Sequence, residues 1–255
     1  MQRAVPWLVV LPLIGSPATV SAATVQPIDY TRLFPHVFTR KGPPLREVAL
    51  TFDDGPDNVY TPQILAILQR EHVKATFFIV GQQAERHPQM MARIVRAGHA
   101  IGNHTFDHPD LARISLSHMN WEVTRTERDI ARLTGQPNKW VRPPYGSVNA
   151  RVLAAIGRMG YQAVNWSVDS NDWQGLSAAQ IEHNIVGSVF PGAIILQHCA
   201  GSTNENLKGT VAALPVVIHA LRARGYSFVT VPELLDASDP HEGTHCKTSI
   251  SDHRP

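Results

Sequence analysis

Seven short apolar segments of strand-like composition alternate with helix-like segments between residues 47 and 236, and this alternation constrains the fold most strongly. The predicted strands are residues 48–52, 75–80, 99–103, 140–142, 163–168, 193–197 and 228–231. Strands that alternate with helices form a parallel sheet with the helices outside. Nearly continuous apolar runs also fit a sheet that is buried on both faces. The pattern predicts an α/β fold, either a closed or incomplete α/β barrel or an open doubly wound sheet.

Local start and stop signals support the predicted helices. Thr61-Pro62 predicts an N-cap followed by a proline at the first helical position, and Ser177 with Gln180 matches a capping box. Glycines that follow helical runs predict C-terminal caps, and they are Gly98, Gly135, Gly160 and Gly225.

Polar side chains capable of chemistry follow the ends of five predicted strands. They are Asp53 and Asp54, His104 and His108, Arg142, Asp169 and Asp172, and His198. In α/β barrels the active site is built at the carboxyl ends of the strands. The distribution therefore favours a barrel with a single active site at that end.

The bulk composition fits one globular domain of barrel size. The chain has 255 residues with 43% hydrophobic residues, and its net charge of +2 is too small to indicate binding to nucleic acid or to a membrane surface. We divide it into a mixed lead-in at residues 23–46, a catalytic domain at residues 47–236 and a polar tail at residues 237–255.

Residues 1–22 have the features of an export signal. Arg3 precedes an apolar stretch at residues 5–15, and Val20-Ser21-Ala22 offers a small-residue cleavage site. The apolar stretch is too short for a stable membrane span, although an uncleaved N-terminal anchor is an alternative. We expect an exported protein, periplasmic or extracellular. In that compartment Cys199 and Cys246 could pair, and two free thiols are equally consistent with the sequence.

Two adjacent carboxylates and two histidines four residues apart predict a metal site with a base beside it. Asp54, His104 and His108 supply one oxygen and two nitrogens, a ligand set typical of catalytic zinc. Successive side chains on a strand point to opposite sides, so we expect Asp53 and Asp54 to have different roles. Asp53 would accept a proton from a water whose pKa the metal lowers.

The remaining strand ends supply groups that orient the base and donate a proton. Arg142 can hold a carboxylate such as Asp53, and the rigid loop that follows can aim the Tyr145 N–H at an oxyanion. His198 could protonate a leaving amine or alcohol. Asp172 could pair with Arg142 or tune His198.

The segments TFDDGP, HTFDH, RPPYG, DSNDW and LQH, in this order, resemble the five motifs of the polysaccharide deacetylase family, also called the NodB-homology domain or carbohydrate esterase family 4. The resemblance covers residues 47–235. It implies a distorted (β/α)7 barrel and metal-dependent hydrolysis of acetyl groups on a polysaccharide. The implied metal is Zn2+, with other divalent ions such as Co2+ as alternatives.

The resemblance also implies a role for each matching position. Asp53 resembles the base, His198 the acid, and Tyr145 the oxyanion donor through its amide. Asp54, His104 and His108 resemble the metal triad. Arg142 resembles the residue that orients the base, and Asp172 the carboxylate that supports the arginine and the acid. The implied substrate-binding residues are Trp173 and Leu196 as walls of the acetate pocket, together with Tyr145 and Pro143.

The expected substrate is an N-acetylglucosamine polymer, either peptidoglycan or chitin-like oligomers. Acetylxylan, an O-acetyl ester, is the nearest alternative. A non-catalytic carbohydrate-binding module should lack the base, a ligand or the acid, and this sequence keeps all three. A glycosidase needs two carboxylates about 5–10 Å apart across the scissile bond, which the adjacent Asp53 and Asp54 fit poorly.

Overall fold

The computed structural model describes residues 27–135, 137–201 and 206–236. The predicted export signal, the polar tail and Cys246 lie outside these residues. In the part of the chain that is described, no helix has the length and apolar character needed to cross a bilayer.

The described strands form one sheet in which every strand pairs in parallel with its neighbours. They are β1 (Phe38–Thr39), β2 (Glu47–Asp53), β3 (Thr76–Ile79), β4 (Ala100–Asn103), β5 (Trp140–Val141), β6 (Gln162–Val164), β7 (Val168–Asp169), β8 (Ile194–His198) and β9 (Ser227–Phe228). The order is β1-β6-β5-β4-β3-β2-β8-β7, and β9 pairs with the start of β2. The parallel sheet predicted from the alternation is confirmed.

Helices connect the strands, as the sequence predicts. They are α1 (Tyr30–Leu33), α2 (Thr61–Arg70), α3 (Gly81–Arg86), α4 (Pro88–Arg96), α5 (Leu116–Thr134), α6 (Ala150–Arg158), α7 (Ala178–Ser188), α8 (Lys208–Ala223) and α9 (Val231–Asp236). The capping box of Ser177 and Gln180 is present at the start of α7. The predicted N-cap at Thr61 is wrong, because α2 already begins there and the Thr61 hydroxyl instead donates to the carbonyl of Cys199.

The predicted strand at residues 163–168 is divided between the two edges of the sheet. Asn165 N donates to Thr39 O on β1, whereas Ser167 N donates to Ile194 O on β8. The backbone therefore changes partners within two residues, and a single uninterrupted strand is the wrong description. Because this segment joins both edges, the sheet curls into an incomplete barrel. This architecture confirms the distorted (β/α)7 barrel expected from the motifs.

Side chains of β2 alternate between two cores. Leu50 and Phe52 belong to the larger core between the sheet and helices such as α2 and α8. Ala49 packs instead with its register partner Ile194 on β8 and with Val164 on β6, a strand that is not paired with β2. Residues on alternate positions share a face, so Thr51 and Asp53 also point inward. Asp53, the last residue of β2, therefore lies inside the barrel at the carboxyl end of the strand and is only 2% exposed.

Candidate active site

The parallel register of β2 and β8 places the predicted base beside the predicted acid. Asp53 is the register partner of His198, and Thr51 is the partner of Leu196. Paired residues on neighbouring strands project to the same face, at a strand spacing of about 4.8 Å. Both proton-transfer groups therefore reach the same side of the sheet although they lie far apart in the sequence.

The three predicted metal ligands meet with their donor atoms close together. Asp54 Oδ1 lies 3.4 Å from His104 Nε2 and 3.3 Å from His108 Nε2, and the two histidine nitrogens are 3.2 Å apart. Ligands about 2.0–2.2 Å from a tetrahedral zinc ion are ~3.3–3.6 Å from one another. The three atoms therefore fit one triangular face of such a site, which leaves a fourth position open.

Two further observations support a cation at this position. Asp54 Oδ1 is buried and has no hydrogen-bond partner among the described residues. A buried carboxylate oxygen without a donor is costly unless a cation compensates it. His104 Nδ1 lies 2.7 Å from the carbonyl oxygen of Arg142, which can only accept, so Nδ1 carries the proton. The lone pair on His104 Nε2 then faces the other two ligands, as metal-binding histidines require.

The backbone of the site is held in conformations that side chains seldom adopt. Positive φ angles occur at six described non-glycine residues, and five of them lie in the five motifs: Asp54 (70°), Thr105 (67°), His108 (65°), Tyr145 (60°) and Asn171 (55°). Such conformations are kept when the surroundings over-determine them, and they cluster at functional sites. Two of the metal ligands therefore owe their direction to a left-handed backbone.

Opposing effects set the protonation of the triad. For Asp54, burial raises the pKa, but His104 and the other histidines outweigh it and lower the pKa to about 2. Burial lowers the pKa of His104, whereas Asp53 and Asp54 raise it, and the net shift is upward. For His108, burial and then the neighbouring His104 lower the pKa to about 4. His108 is consequently neutral at physiological pH, the form that binds a metal.

Arg142 anchors Asp53 inside the barrel. Its fully buried guanidinium donates from Nη1 to Asp53 Oδ1 at 2.7 Å and to Thr51 Oγ1 at 2.8 Å. Nε donates to Val164 O at 2.9 Å, and the cation lies 3.9 Å from the ring centre of Phe78. The charge-assisted bond holds one oxygen of Asp53 and leaves the other facing the metal ligands, 3.6 Å from His104 Nε2.

Asp172 supports His198. One oxygen of its buried carboxylate lies 2.7 Å from His198 Nδ1, and the other accepts from His198 N and from Thr210 Oγ1, both at 2.8 Å. Burial lowers the pKa of His198, but the hydrogen bond and charge of Asp172 outweigh it and raise the pKa to about 10. Of the two partners that the sequence allowed for Asp172, the structure brings His198 into contact. Arg142 is paired with Asp53 instead, and the charge of Asp169 also acts on it.

Of the four predicted substrate-binding residues, two are exposed and two are buried. Tyr145 is 69% exposed, and its ring packs edge-on against His108 with the ring centres 4.7 Å apart. Trp173 follows Asp172 and is 49% exposed, so its face is available to a ligand. Leu196, the register partner of Thr51, and Pro143 are buried. The Tyr145 N–H has no hydrogen-bond partner within the described residues, which leaves it free for an oxyanion.

Sequence reasoning missed three residues that contact the site machinery. Thr51 accepts a hydrogen bond from Arg142, and Thr210 donates one to Asp172. Glu122 on α5 binds the loop between the two metal-ligating histidines. The detectable signal was an acid within the apolar stripe of α5, where Met119, Val123 and Ile130 are also buried. Cys199 is buried behind the site, and its thiol lies 3.4 Å from Asp53 O.

Comparisons with known proteins identify relatives of this chain. The sequence profile of the family described as polysaccharide deacetylase matches residues 40–164. A peptidoglycan-N-acetylglucosamine deacetylase of Bacillus cereus is 44% identical over 192 residues, which are 75% of this chain and 69% of that protein. A chitooligosaccharide deacetylase of Sinorhizobium fredii is 37% identical over 214 residues, covering 81% of this chain and 98% of that protein. Some relatives are longer, since this chain spans 39% of PgdA from Listeria monocytogenes.

The fold also matches a solved structure. The crystal structure of the Bc1960 peptidoglycan N-acetylglucosamine deacetylase superimposes with a TM-score of 0.78 at 41% identity, covering 82% of this chain and 97% of that one. At this level of identity the likeness extends to the sequence as well as to the sheet topology.

Proposed function

Because the chain belongs to the polysaccharide deacetylase family, we propose that it is a zinc-dependent hydrolase that removes N-acetyl groups from N-acetylglucosamine polymers. Its relatives are named for peptidoglycan and for chitooligosaccharides, and both substrates carry this acetamide. Export directed by residues 1–22 would bring the protein to a cell-wall substrate.

The observation that carries the proposal is a complete set of catalytic groups in one place. A paired carboxylate base, a three-ligand face for a metal and a histidine acid all lie at the same ends of β2, β4 and β8. A carbohydrate-binding module would have no need for the buried Asp53–Arg142 and Asp172–His198 pairs. Two imidazoles and one carboxylate suit zinc, and also Co2+, better than the oxygen-preferring Mg2+ or Ca2+.

Zinc, when bound by Asp54, His104 and His108, supplies a Lewis acid for the acetyl carbonyl and lowers the pKa of water nearby. Asp53, oriented by Arg142, accepts the proton of the attacking water. The N–H of Tyr145 donates to the oxygen on which negative charge develops. His198, protonated because Asp172 raises its pKa to about 10, gives its proton to the departing sugar nitrogen.

The decisive experiment measures acetate release from peptidoglycan, chitin oligomers and acetylxylan. Each reaction is run after chelation and again after zinc is restored. We expect zinc-dependent acetate from an N-acetyl substrate, and the substrate that releases it identifies the polymer. No acetate from any of the three, with zinc measurably bound, would contradict the proposal.

The Asp53→Asn variant separates base catalysis from metal binding. Asparagine can keep the hydrogen bond to Arg142 but cannot accept a proton at neutral pH. We expect acetate release to fall by ~10²–10⁴-fold, the usual contribution of a general base, while zinc binding is retained. Near-full activity in a zinc-loaded Asp53→Asn enzyme would exclude Asp53 as the base.

A further inference from the structure

The buried carboxylate of Glu122 contacts the loop that carries both metal-ligating histidines. Glu122 lies on α5, and its side chain is fully buried. Oε2 accepts from Phe106 N at 2.8 Å and from Asp107 N at 3.1 Å. These two amides lie between His104 and His108, so one oxygen spans the middle of the loop.

The loop has little hydrogen bonding of its own, and side chains satisfy its amides instead. Thr105 N donates to Asn103 Oδ1 at 2.9 Å, and His108 N donates to Thr105 Oγ1 at 3.2 Å. With the two bonds to Glu122, every amide from residue 105 to residue 108 is bound by a side chain. Asn103 and Thr105 are part of the same segment. From outside it, Gly81 N and Gln82 N of α3 donate to the carbonyls of Thr105 and Phe106, and Glu122 on α5 binds the two central amides.

Burying this carboxylate is costly, which argues against an incidental contact. No lysine or arginine forms an ion pair with Glu122 among the described residues, and His118 Nε2 lies 3.1 Å from Oε1. Burial raises the pKa of Glu122, the bonds from the Asp107 and Phe106 amides oppose this, and the side-chain hydrogen bond and charge of Asp107 add to the upward shift. Two backbone donors directed at one oxygen are the main compensation for its desolvation.

We propose that Glu122 is a positioning residue that fixes the separation of the His104 and His108 imidazoles and thereby sets the affinity of the metal site. The inference rests on the metal triad of the proposed function. The backbone has positive φ angles at Thr105 and His108, conformations that persist only where surrounding contacts hold them, and Glu122 supplies the contacts to the two central amides.

Two conservative variants of Glu122 separate the effect of side-chain length from the effect of charge. Glu122→Asp keeps the charge, but its shorter side chain withdraws the carboxylate from both amides. Glu122→Gln removes the charge and keeps an oxygen at the same place. Glu233→Asp is the matched control, because Glu233 Oε2 accepts from Thr230 N at 2.7 Å at the start of α9, away from the loop.

The first measurement is the zinc dissociation constant of each variant by competition with a chromophoric chelator. We expect Glu122→Asp to bind zinc ~10–100-fold more weakly, as is typical when support of a metal ligand is lost. Glu122→Gln and Glu233→Asp should remain close to the wild type. The opposite order, with Gln weak and Asp unchanged, would show an effect of charge and overturn positioning by hydrogen bonds.

The second measurement needs no metal. Hydrogen exchange of the Phe106 and Asp107 amides in the chelated protein should be faster in Glu122→Asp than in the wild type or in Glu233→Asp. Unchanged exchange would overturn the positioning role even if the enzyme were active. Faster exchange in a protein that binds no zinc would instead support the anchor and contradict the proposed metal function, so the two failures are distinguishable.

Discussion

His108 and His198 are two histidines of one active site with opposite pKa shifts. Burial and the neighbouring His104 lower the pKa of His108 to about 4. Burial also lowers the pKa of His198, but the Asp172 carboxylate more than reverses this and raises the pKa to about 10. Both histidines are buried near carboxylates, but burial and His104 outweigh the charge of Asp54 at His108, whereas the hydrogen bond and charge of Asp172 outweigh burial at His198.

This difference divides the chemistry between the two sides of the site. A neutral imidazole is a metal ligand, and a protonated one is a proton donor. The ligand side contains a carboxylate oxygen of Asp54 that has no hydrogen-bond donor in the described residues, whereas the acid side contains Asp172, which accepts three hydrogen bonds. One side therefore attracts a cation, and the other is already satisfied by the protein.

The largest effect is expected from His108→Ala on the ligand side. Removing one of three ligands should abolish tight zinc binding, and acetate release should fall by more than the ~10²–10⁴-fold that one proton-transfer group contributes. Metal content after dialysis and acetate release test this together. His183→Ala, at an exposed position on α7, is the control for the loss of a histidine. Full zinc content in His108→Ala would remove His108 from the metal site.

His198→Ala should weaken catalysis without affecting the metal. The variant lacks the proton donor for the leaving nitrogen, so we expect kcat to fall by ~10²–10⁴-fold. Zinc affinity should be unchanged, because His198 is outside the group of ligand atoms. Loss of zinc in this variant would contradict the division between the two sides of the site.

Asp172→Asn should bring the pKa of His198 close to that of an ordinary histidine. The raised pKa means that His198 is protonated through neutral pH and loses its proton only as the pH rises through about 10. Without the carboxylate charge, its pKa should fall towards the ordinary value of about 6.5. The alkaline limb of the kcat profile should move to lower pH by a comparable amount, while the acidic limb stays in place. An unmoved alkaline limb would show that another group is the acid.

The same pair also contributes to stability in a defined pH window. A histidine with a raised pKa in the folded state stabilises the protein fully below its unfolded pKa, and the contribution is lost as the pH rises through the folded pKa. For His198 that window extends from about 6.5 to about 10. Stability measured across this range should therefore decline more in the wild type than in Asp172→Asn.

The strand ends could be predicted from the sequence because they depend on neighbouring residues. Apolar runs followed by Asp53, His104 or His198 indicate both the strand and the edge at which its last side chain lies. The division of residues 163–168 was not readable, because it depends on the two edges of the sheet meeting around the barrel. The Asp172–His198 pairing likewise depends on how the loop that carries Asp172 packs against the end of β8, and the sequence left Arg142 as an equal alternative.

Helix residues that support the site are the hardest to predict. Thr210 on α8 and Glu122 on α5 follow no strand and belong to no motif, and they reach the site only through the packing of their helices. An acidic residue within an apolar helix stripe, such as Glu122, can at least be recognised in the sequence. A threonine such as Thr210 fits an apolar helix face without any exceptional feature, so only the structure connects it to Asp172.

Thr210→Val gives the smallest expected effect and separates the charge of Asp172 from its positioning. Valine has nearly the same shape but donates no hydrogen bond to the buried carboxylate. Loss of a hydrogen bond to a charged group should lower the free energy of unfolding by ~1.5–3 kcal/mol. The alkaline limb should not move to lower pH, because Asp172 stays ionised beside His198. Thr210→Ser keeps the hydroxyl group and is the matched control. A downward shift like that of Asp172→Asn would mean that the pKa of His198 depends on the exact placement of the carboxylate as much as on its charge.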